Sequence, residues 1–463
     1  MTLGTRNGPQ LAAVRAVLDP ARIAAALDAW FAAQGRRERA VDVSVQRLFY
    51  VPGADCSLVY SLTLEADGRR DTQILSAILG LPDSAAVYAK AERKAAKDKF
   101  ITPALGAAAY HLPDLDLVLW TFPNDPKLKT LPEQWRQLPG ETLALRAATG
   151  ASAGLEMGPA TRSLVRYIPR KRCVLRYEME WRPLRDANGA PGTLPTAELQ
   201  TVYAKTYDDV VPAREADAIL EGLWRAAQAD SRFLRIPEPL PLDAEGWTTY
   251  QRGVPGAPLS QSAAQVTPAL AAAIGRGLAA MHLVRIPVRP KHDLDDEAAK
   301  LRAHAALVAH VHPEAKAELD WITQRLDASL PRLPRLPLVT SHGTFKLAHL
   351  LHDGHQSALV DFDSFVHADP LYDVANFTAD LHYLEAMGVL PPGRARRLAT
   401  AFYESWSAHV PWGRRDSVLN WYVASLLVRK QALKCVKHLH TDAAVKISRV
   451  LETARARIEG EGL

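Results

Sequence analysis

Hydrophobic residues first recur at helical spacing between Asp19 and Gly35, where Ile23, Leu27, Trp30 and Phe31 make one stripe. Asp19 is placed to cap that helix, Pro20 fits its first turn and Gly35 its end. The period then changes. Val43–Tyr50 and Cys56–Leu64 read as two strands of a hairpin joined by Val-Pro-Gly-Ala-Asp. A strand through Ala86–Lys90, a basic helix and a strand at Leu117–Phe122 are predicted next. From about Thr267 the pattern turns helical, over Ala271–His282, Ala298–Leu326, Arg397–Trp406 and Ser417–His438. Between the second and third of these, Pro331–Pro337 interrupts the pattern and leads into Leu338–Asp363. A strand-rich part followed by a helix-rich part predicts an α+β chain.

The strand-rich part repeats itself. Tyr50-Val-Pro-Gly-Ala-Asp-Cys-Ser-Leu-Val-Tyr60 matches Tyr167-Ile-Pro-Arg-Lys-Arg-Cys-Val-Leu-Arg-Tyr177 at five of eleven positions. Val87-Tyr-Ala-Lys90 returns as Val202-Tyr-Ala-Lys205, and the run from Leu119 overlays the run from Tyr250. Three landmarks in one order predict a duplicated unit, too few copies for a solenoid. Domains are expected over 1–40 (helical), 41–150 (first copy), 151–260 (second copy) and 261–463 (helical). Cys56 and Cys173 fall at the same place in both copies, which marks them as small buried side chains.

Composition narrows the function classes. The chain has 463 residues, 48% hydrophobic and 23% charged, which is ordinary for a large globular core. Its formal net charge of +5 is spread along the chain, with no aromatic-basic platform, so nucleic acid is not the expected partner. Three cysteines make no disulfide framework and suit a reducing compartment. The first residues have no apolar signal core and no apolar run approaches membrane-spanning length, so a cytoplasmic protein without a membrane partner is expected.

The densest polar constellation is Ser341-His-Gly-Thr-Phe-Lys-Leu-Ala-His349, then Ala358-Leu-Val-Asp-Phe-Asp363, then Ala368-Asp-Pro-Leu-Tyr-Asp373. Asp361 and Asp363 follow a buried-looking strand, Ser357–Val360. Carboxylates at such a strand end suit a hard cation such as Mg²⁺, which binds one or two carboxylates and phosphate oxygens. Asp369-Pro370 reads as a helix start, with Asp373 placed to bond backbone amides of the preceding loop.

This run resembles the catalytic core of the aminoglycoside phosphotransferase and choline kinase-like family. There the loop reads His-Gly-Asp-x-x-x-x-Asn and is followed by a strand, Asp-Phe/Trp-Asp/Glu and Asp-Pro-x-Tyr-Asp. The resemblance spans roughly 160–440, is specific over Leu338–Ala375, and is looser before that. It implies a protein-kinase-like two-lobed fold with an antiparallel-sheet N-lobe and a helical C-lobe. It also implies transfer of a phosphate from ATP or GTP, with Mg²⁺, to a hydroxyl of a small molecule. Ile274–His282 looks like the first long C-lobe helix and Gln251–Leu259 like the hinge. Lys205 would hold nucleotide phosphates, with Glu215 as its helix partner. The metal would fall to Asp361, His349 and Asp363, and the catalytic positions to His342, Thr344 and Lys346.

The departures matter as much. Thr344 stands where the family has its catalytic aspartate, and His349 where it has the metal-binding asparagine. A threonine hydroxyl hydrogen-bonds an acceptor but does not take up its proton near neutral pH. Imidazole is a softer ligand than Mg²⁺ usually takes, while Lys346 offers a flexible cation for phosphate charge. Pro169-Arg-Lys-Arg172 has no glycine where a phosphate clamp is expected, so Arg170 and Arg172 are candidates to replace backbone amides with side-chain charge. Two readings stay open: a small-molecule phosphotransferase, or a pseudokinase that binds nucleotide or a protein partner without transfer. The first copy reads as an N-lobe-like module, without a clear glutamate on its helix, that packs on the kinase-like part or recruits that partner. Asp373, Asp380 and Glu385 would favour a cationic acceptor.

Overall fold

The computed structural model describes residues 11–49, 56–137, 155–183, 198–288, 291–437 and 442–460. The chain divides into two compact units, Met1–Arg214 with Leu240–Tyr250, and Glu215–Pro239 with Gln251–Leu463. The first is rich in sheet and the second in helix, the expected α+β arrangement.

The first unit opens with α1 (Leu11–Val17) and α2 (Pro20–Ala33). Asp19 caps α2 by accepting from the Ala21 amide, and Ile23, Leu27 and Phe31 of the stripe are buried. Then come β1 (Arg39–Phe49), β2 (Cys56–Ala66), β3 (Arg69–Leu79), α3 (Ser84–Ala96), β4 (Ala109–Leu112), β5 (Leu117–Thr121) and α4 (Leu131–Arg136). After these lie β6 (Leu155–Ile168), β7 (Arg172–Pro183) and β8 (Glu198–Tyr207), then α5 (Val210–Ala229), β9 (Pro239–Asp243) and β10 (Thr248–Arg252). The two five-stranded sheets have one topology, β1-β2-β3-β5-β4 and β6-β7-β8-β10-β9. The expected hairpin of β1 and β2 is present and antiparallel, while its Tyr50–Asp55 connection lies outside the described residues. The Leu119/Tyr250 overlay is consistent with the strand ends, since β5 stops at Thr121 and β10 at Arg252.

One landmark of the repeat is corrected. Ala86–Lys90 is no strand: it lies within α3, whose start is capped by the Asp83 carboxylate accepting from the Ala86 amide. Ala, Glu, Arg and Lys are strong helix formers, and the four-residue match to Val202–Lys205 was too short to outweigh them. Strand β3, which the hydrophobic pattern left unassigned, fills the place of β8. Register identifies the true counterparts. Cys56 pairs with Leu79 and Cys173 with Thr206, so Ser57 opposite Ile78 corresponds to Val174 opposite Lys205. The first sheet carries Ile78 where the second carries Lys205.

Asp125 joins the two copies within this unit. Its buried carboxylate accepts from the Lys127 and Leu128 amides, from Tyr167 Oη at 2.6 Å, and from the Arg170 amide at 2.9 Å. Leu128 and Leu131, from the segment after the first sheet, enter the core of Tyr167, Cys173, Leu175 and Tyr177. Both repeat cysteines are buried and free, as their shared position implies.

The second unit holds β11 (Ala257–Pro258), α6 (Pro268–His282), β12 (Lys291–His292), α7 (Leu294–Val311) and α8 (Lys316–Ser329). Short strands β13 (Val339–Ser341), β14 (Leu350–His352), β15 (Ser357–Leu359) and β16 (Val366–Ala368) form two small sheets, β11-β14-β15 and β12-β16-β13. Helices α9 (Leu371–Ala386), α10 (Arg394–Ser407) and α11 (Asp416–Leu426) follow. A π-helical turn, Leu427–Ala432, leads into α12 (Leu433–Lys437), and α13 (Ala443–Ile458) comes last. Two expected helices are modified. Ala298–Leu326 breaks at His312, ahead of Pro313, which begins a short 3₁₀ turn. Ser417–His438 passes through the π turn, and His438 lies outside the described residues. No helix among the described residues is long and apolar enough to cross a membrane.

Helices α6 and α10 touch at Gly275, where an added Cβ would lie 2.4 Å from the Phe402 carbonyl oxygen. Backbone there cannot yield as a side chain would. Gly275→Ala is therefore expected to lower stability by about 1–3 kcal/mol, although alanine would stabilise an open helix position by about 1 kcal/mol. Urea denaturation of the full chain checks this, and a variant as stable as the parent would show that the helices separate freely.

Candidate functional site

The polar loop begins where β13 ends. Gly343 has φ +78°, and a Cβ there would lie 2.1 Å from the Ser364 carbonyl oxygen, so only glycine fits this close approach. Asp373, in the first turn of α9, accepts the His342 amide at 2.6 Å and the Gly343 amide at 2.8 Å, the role expected of it. His282 faces the same carboxylate at 3.4 Å through Nε2, while its Nδ1 accepts from Trp406 Nε1. Burial opposes ionisation of Asp373, yet the bond to His282 and the loop amide help to hold its pKa below the ordinary value. A fully buried carboxylate thus stays charged beneath the loop.

His342 is neutral by the same accounting. Burial pushes its pKa below 6.5 against the pull of Asp373 and a bond to Val360. Its Nε2 faces the Val360 carbonyl oxygen at 3.1 Å, so Nε2 carries the proton and Nδ1 the lone pair. That lone pair faces the Thr344 hydroxyl at 3.3 Å and the Thr344 amide at 3.4 Å. Thr344 donates its hydroxyl proton there and keeps its oxygen lone pairs for another group. It is half-buried, between buried Gly343 and Phe345.

Two candidate metal ligands meet. His349 Nε2 lies 3.4 Å from Asp361 Oδ2, with the His349 side chain 8% exposed and that of Asp361 23%. Asp361 has φ +68° at the end of β15, and the Val360 amide before it donates to the His349 carbonyl oxygen at 3.0 Å. This backbone tie brings the two side chains into one place. Asp363 sits two residues on in a short 3₁₀ turn. No three His, Cys, Asp or Glu side chains gather into a closed metal site among the described residues. One carboxylate and one imidazole leave most of a cation's coordination shell to other ligands, which fits a cation shared with phosphate oxygens.

Lys346 lies between the loop and a short 3₁₀ turn, Leu347–His349. With Lys434 and Lys430 it acts on Asp380, a buried carboxylate that accepts the Leu347 amide. Burial nevertheless pushes the Asp380 pKa up. The expectation that Asp373, Asp380 and Glu385 greet a cationic acceptor is corrected. Asp373 and Asp380 are spent on loop amides, and Glu385 accepts the Ala395 amide at 2.7 Å.

Sequence reasoning missed Lys430. Its Nζ donates to the Gly343 carbonyl oxygen at 2.9 Å and to Asn376 Oδ1, over the Tyr372 ring. Burial pushes its pKa well below the ordinary lysine value. Next to it, Arg429 pairs with buried Glu297 at 2.7 Å and donates to Tyr372 Oη. Glu297 also accepts from His292 and Ser425. The π turn supplies the extra residue that aims both cations inward, a device frequent at functional sites. The one available signal was a charged pair inside an otherwise apolar helix.

The remaining candidates lie on the first unit and at the start of the second. Lys205 is on β8 opposite Val174, with its Nζ 6.0 Å from the Tyr207 ring centroid. Glu215 lies on α5. Arg170 sits at φ +65° in the turn between β6 and β7, whose first residue is Arg172. Its left-handed backbone is held by Asp125, so the turn is built without the expected glycine.

Residues 194–406 match the family model described as the phosphotransferase enzyme family. No curated protein matches the sequence. Among solved structures, a choline/ethanolamine kinase family protein from Mesorhizobium loti is similar at 14% identity and a TM-score of 0.41, covering 71% of this chain and 94% of that one. A glucosamine kinase in complex with glucosamine, ADP and inorganic phosphate is similar at 16% identity and 0.45, covering 71% and 89%. An aminoglycoside phosphotransferase from Streptomyces rimosus is similar at 17% identity and 0.36, covering 60% and 94%.

Burial alone would raise the Glu297 pKa, but Arg429 and His292 outweigh it and bring it down from 4.5 to about 2. A depressed carboxylate stabilises the fold above its unfolded value, and that stability is lost as pH falls from 4.5 towards 2. Glu297→Gln strands the Arg429 charge and is expected to cost about 3–5 kcal/mol at pH 7. Urea denaturation at pH 7 and pH 3 should show this gap shrinking at the lower pH. A constant gap would mean that the pair is not what holds the π turn.

Proposed function

We propose that this protein transfers a phosphoryl group from a nucleoside triphosphate to a hydroxyl of a small molecule. The observation that carries this reading is the pairing of Asp361 with His349 beside a loop anchored by Asp373, inside the stretch that matches the phosphotransferase family. Asp361 and His349 would hold a divalent cation, Mg²⁺ or a softer ion more at ease with imidazole, which when bound neutralises phosphate charge. Lys205 and Glu215, at positions the family resemblance marks, would serve the nucleotide, ATP or GTP.

Thr344 takes a different part from a carboxylate. Its oxygen accepts a hydrogen bond from the acceptor hydroxyl while its own proton points at His342 Nδ1. The proton that an aspartate would take directly passes along this two-residue relay to the neutral imidazole. Positioning and charge neutralisation supply most of phosphoryl transfer, so a weak base slows the reaction without abolishing it. Lys346 adds positive charge beside the same loop, and Lys430 donates to its Gly343 carbonyl oxygen.

A second reading has its own support. Thr344 itself favours a pseudokinase that binds nucleotide without transfer, because a hydroxyl is not a proton sink.

Transfer to a panel of amino sugars and amino alcohols separates the two. Asp361→Asn is expected to abolish it, by at least about 10³-fold, as loss of the cation's carboxylate removes charge neutralisation. Thr344→Asp is expected to raise it by about 10²-fold, the lower range for a general base. In the relay the parent rate falls only at pH values below the ordinary histidine range, where His342 becomes protonated. No transfer by the parent, with nucleotide binding retained and Thr344→Asp gaining nothing, would leave the pseudokinase reading.

A further inference from the structure

The first sheet carries a cavity of its own. Its volume is about 220 Å³, and its wall combines Lys90 and Lys94 of α3, Lys127 after β5 and Arg170 of the β6–β7 turn with Phe100 and Trp120. Among the described residues that line it there are four cations and no carboxylate. Lys94 lies over the Phe100 ring, 4.7 Å from its centroid. Burial, then Lys90 and Lys129, depress its pKa; Asp125 opposes them and Lys99 adds to them. Asp125 already serves four donors around this wall, among them the Arg170 and Lys127 amides.

The position of the cavity within the repeat gives the arrangement a direction. Ile78 lines it, and Ile78 is the register counterpart of Lys205. The second copy supplies a lysine from the strand at this place. The first has an apolar residue there and supplies two of its cations, Lys90 and Lys94, from α3 instead. Like charges gathered on an apolar floor repel one another at short range and low dielectric, and a multiply charged anion relieves that repulsion while pairing with each ammonium. The cavity is smaller than the roughly 300–1,000 Å³ of sites for drug-sized ligands, so a diphosphate or a compact phosphate ester fits its scale better than a whole nucleotide.

We propose that this cavity binds a small phosphate-bearing ligand, with Lys90, Lys94, Lys127 and Arg170 as its charge partners and Trp120 and Phe100 as its floor. Because Arg170 belongs both to the cavity and to the β6–β7 turn, the ligand also steadies that turn. The first copy is then a ligand-sensing module, a role that does not depend on transfer elsewhere in the chain.

Isothermal titration of the full chain with sodium pyrophosphate in metal-free buffer tests this. Saturable binding is expected, weakened at least tenfold in Lys90→Ala/Lys94→Ala and several-fold in Lys127→Ala, an exposed position. Asp361→Asn is expected to bind as the parent does, which separates this cavity from the proposed transfer site. Hydrogen exchange of residues 168–172 should slow on binding. Absence of binding by the parent overturns the proposal, as does binding unchanged in both lysine variants or lost in Asp361→Asn alone.

Discussion

A single buried carboxylate organises the loop. Asp373 is enclosed completely, where an isolated charge would be prohibitively costly. It survives because donors converge on it from three places: two consecutive loop amides and the His282 ring. Trp406 fixes that ring from the other side. The loop therefore cannot slide without stranding a charge. Gly343, whose missing Cβ admits the Ser364 carbonyl, lets the backbone lie that close.

Everything chemical at the site is set relative to this anchor. His342, held next to the charge yet buried enough to stay neutral, turns its lone pair towards Thr344. From the opposite side the π turn sends Lys430 to the Gly343 carbonyl, with the Glu297–Arg429 pair fixing the turn that carries it. Compared with the family pattern, the loop has exchanged an acid for a hydroxyl and has a buried cation against its backbone. The His349–Asp361 pairing keeps a mixed nitrogen and oxygen donor set in reach of solvent.

The duplicated sheet shows how one topology diverges in chemistry. Both copies keep the strand order, the buried cysteine and a buried tyrosine four residues beyond it, Tyr60 in one and Tyr177 in the other. They differ where charge is placed, on the strand in one copy and on α3 in the other. Asp125, from the segment after the first sheet, fixes the turn of the second and so makes the first copy part of that turn's structure.

Local pattern alone determined much of this protein: the capped helix from Pro20, the duplicated hairpin, the change to helices after Thr267 and the His-Gly loop with its two aspartates. These depend on neighbours within a few residues, where spacing and capping chemistry decide. The identity of α3 was equally local, but a four-residue likeness to a strand obscured the alanine and lysine content that made it a helix. Tertiary structure alone decided the rest. Lys430 reaches a loop 87 residues away, the register pairs Lys205 with Ile78 as counterparts, and burial sets which carboxylates stay charged. Such outcomes depend on which distant groups share one desolvated space, and no short-range pattern records that.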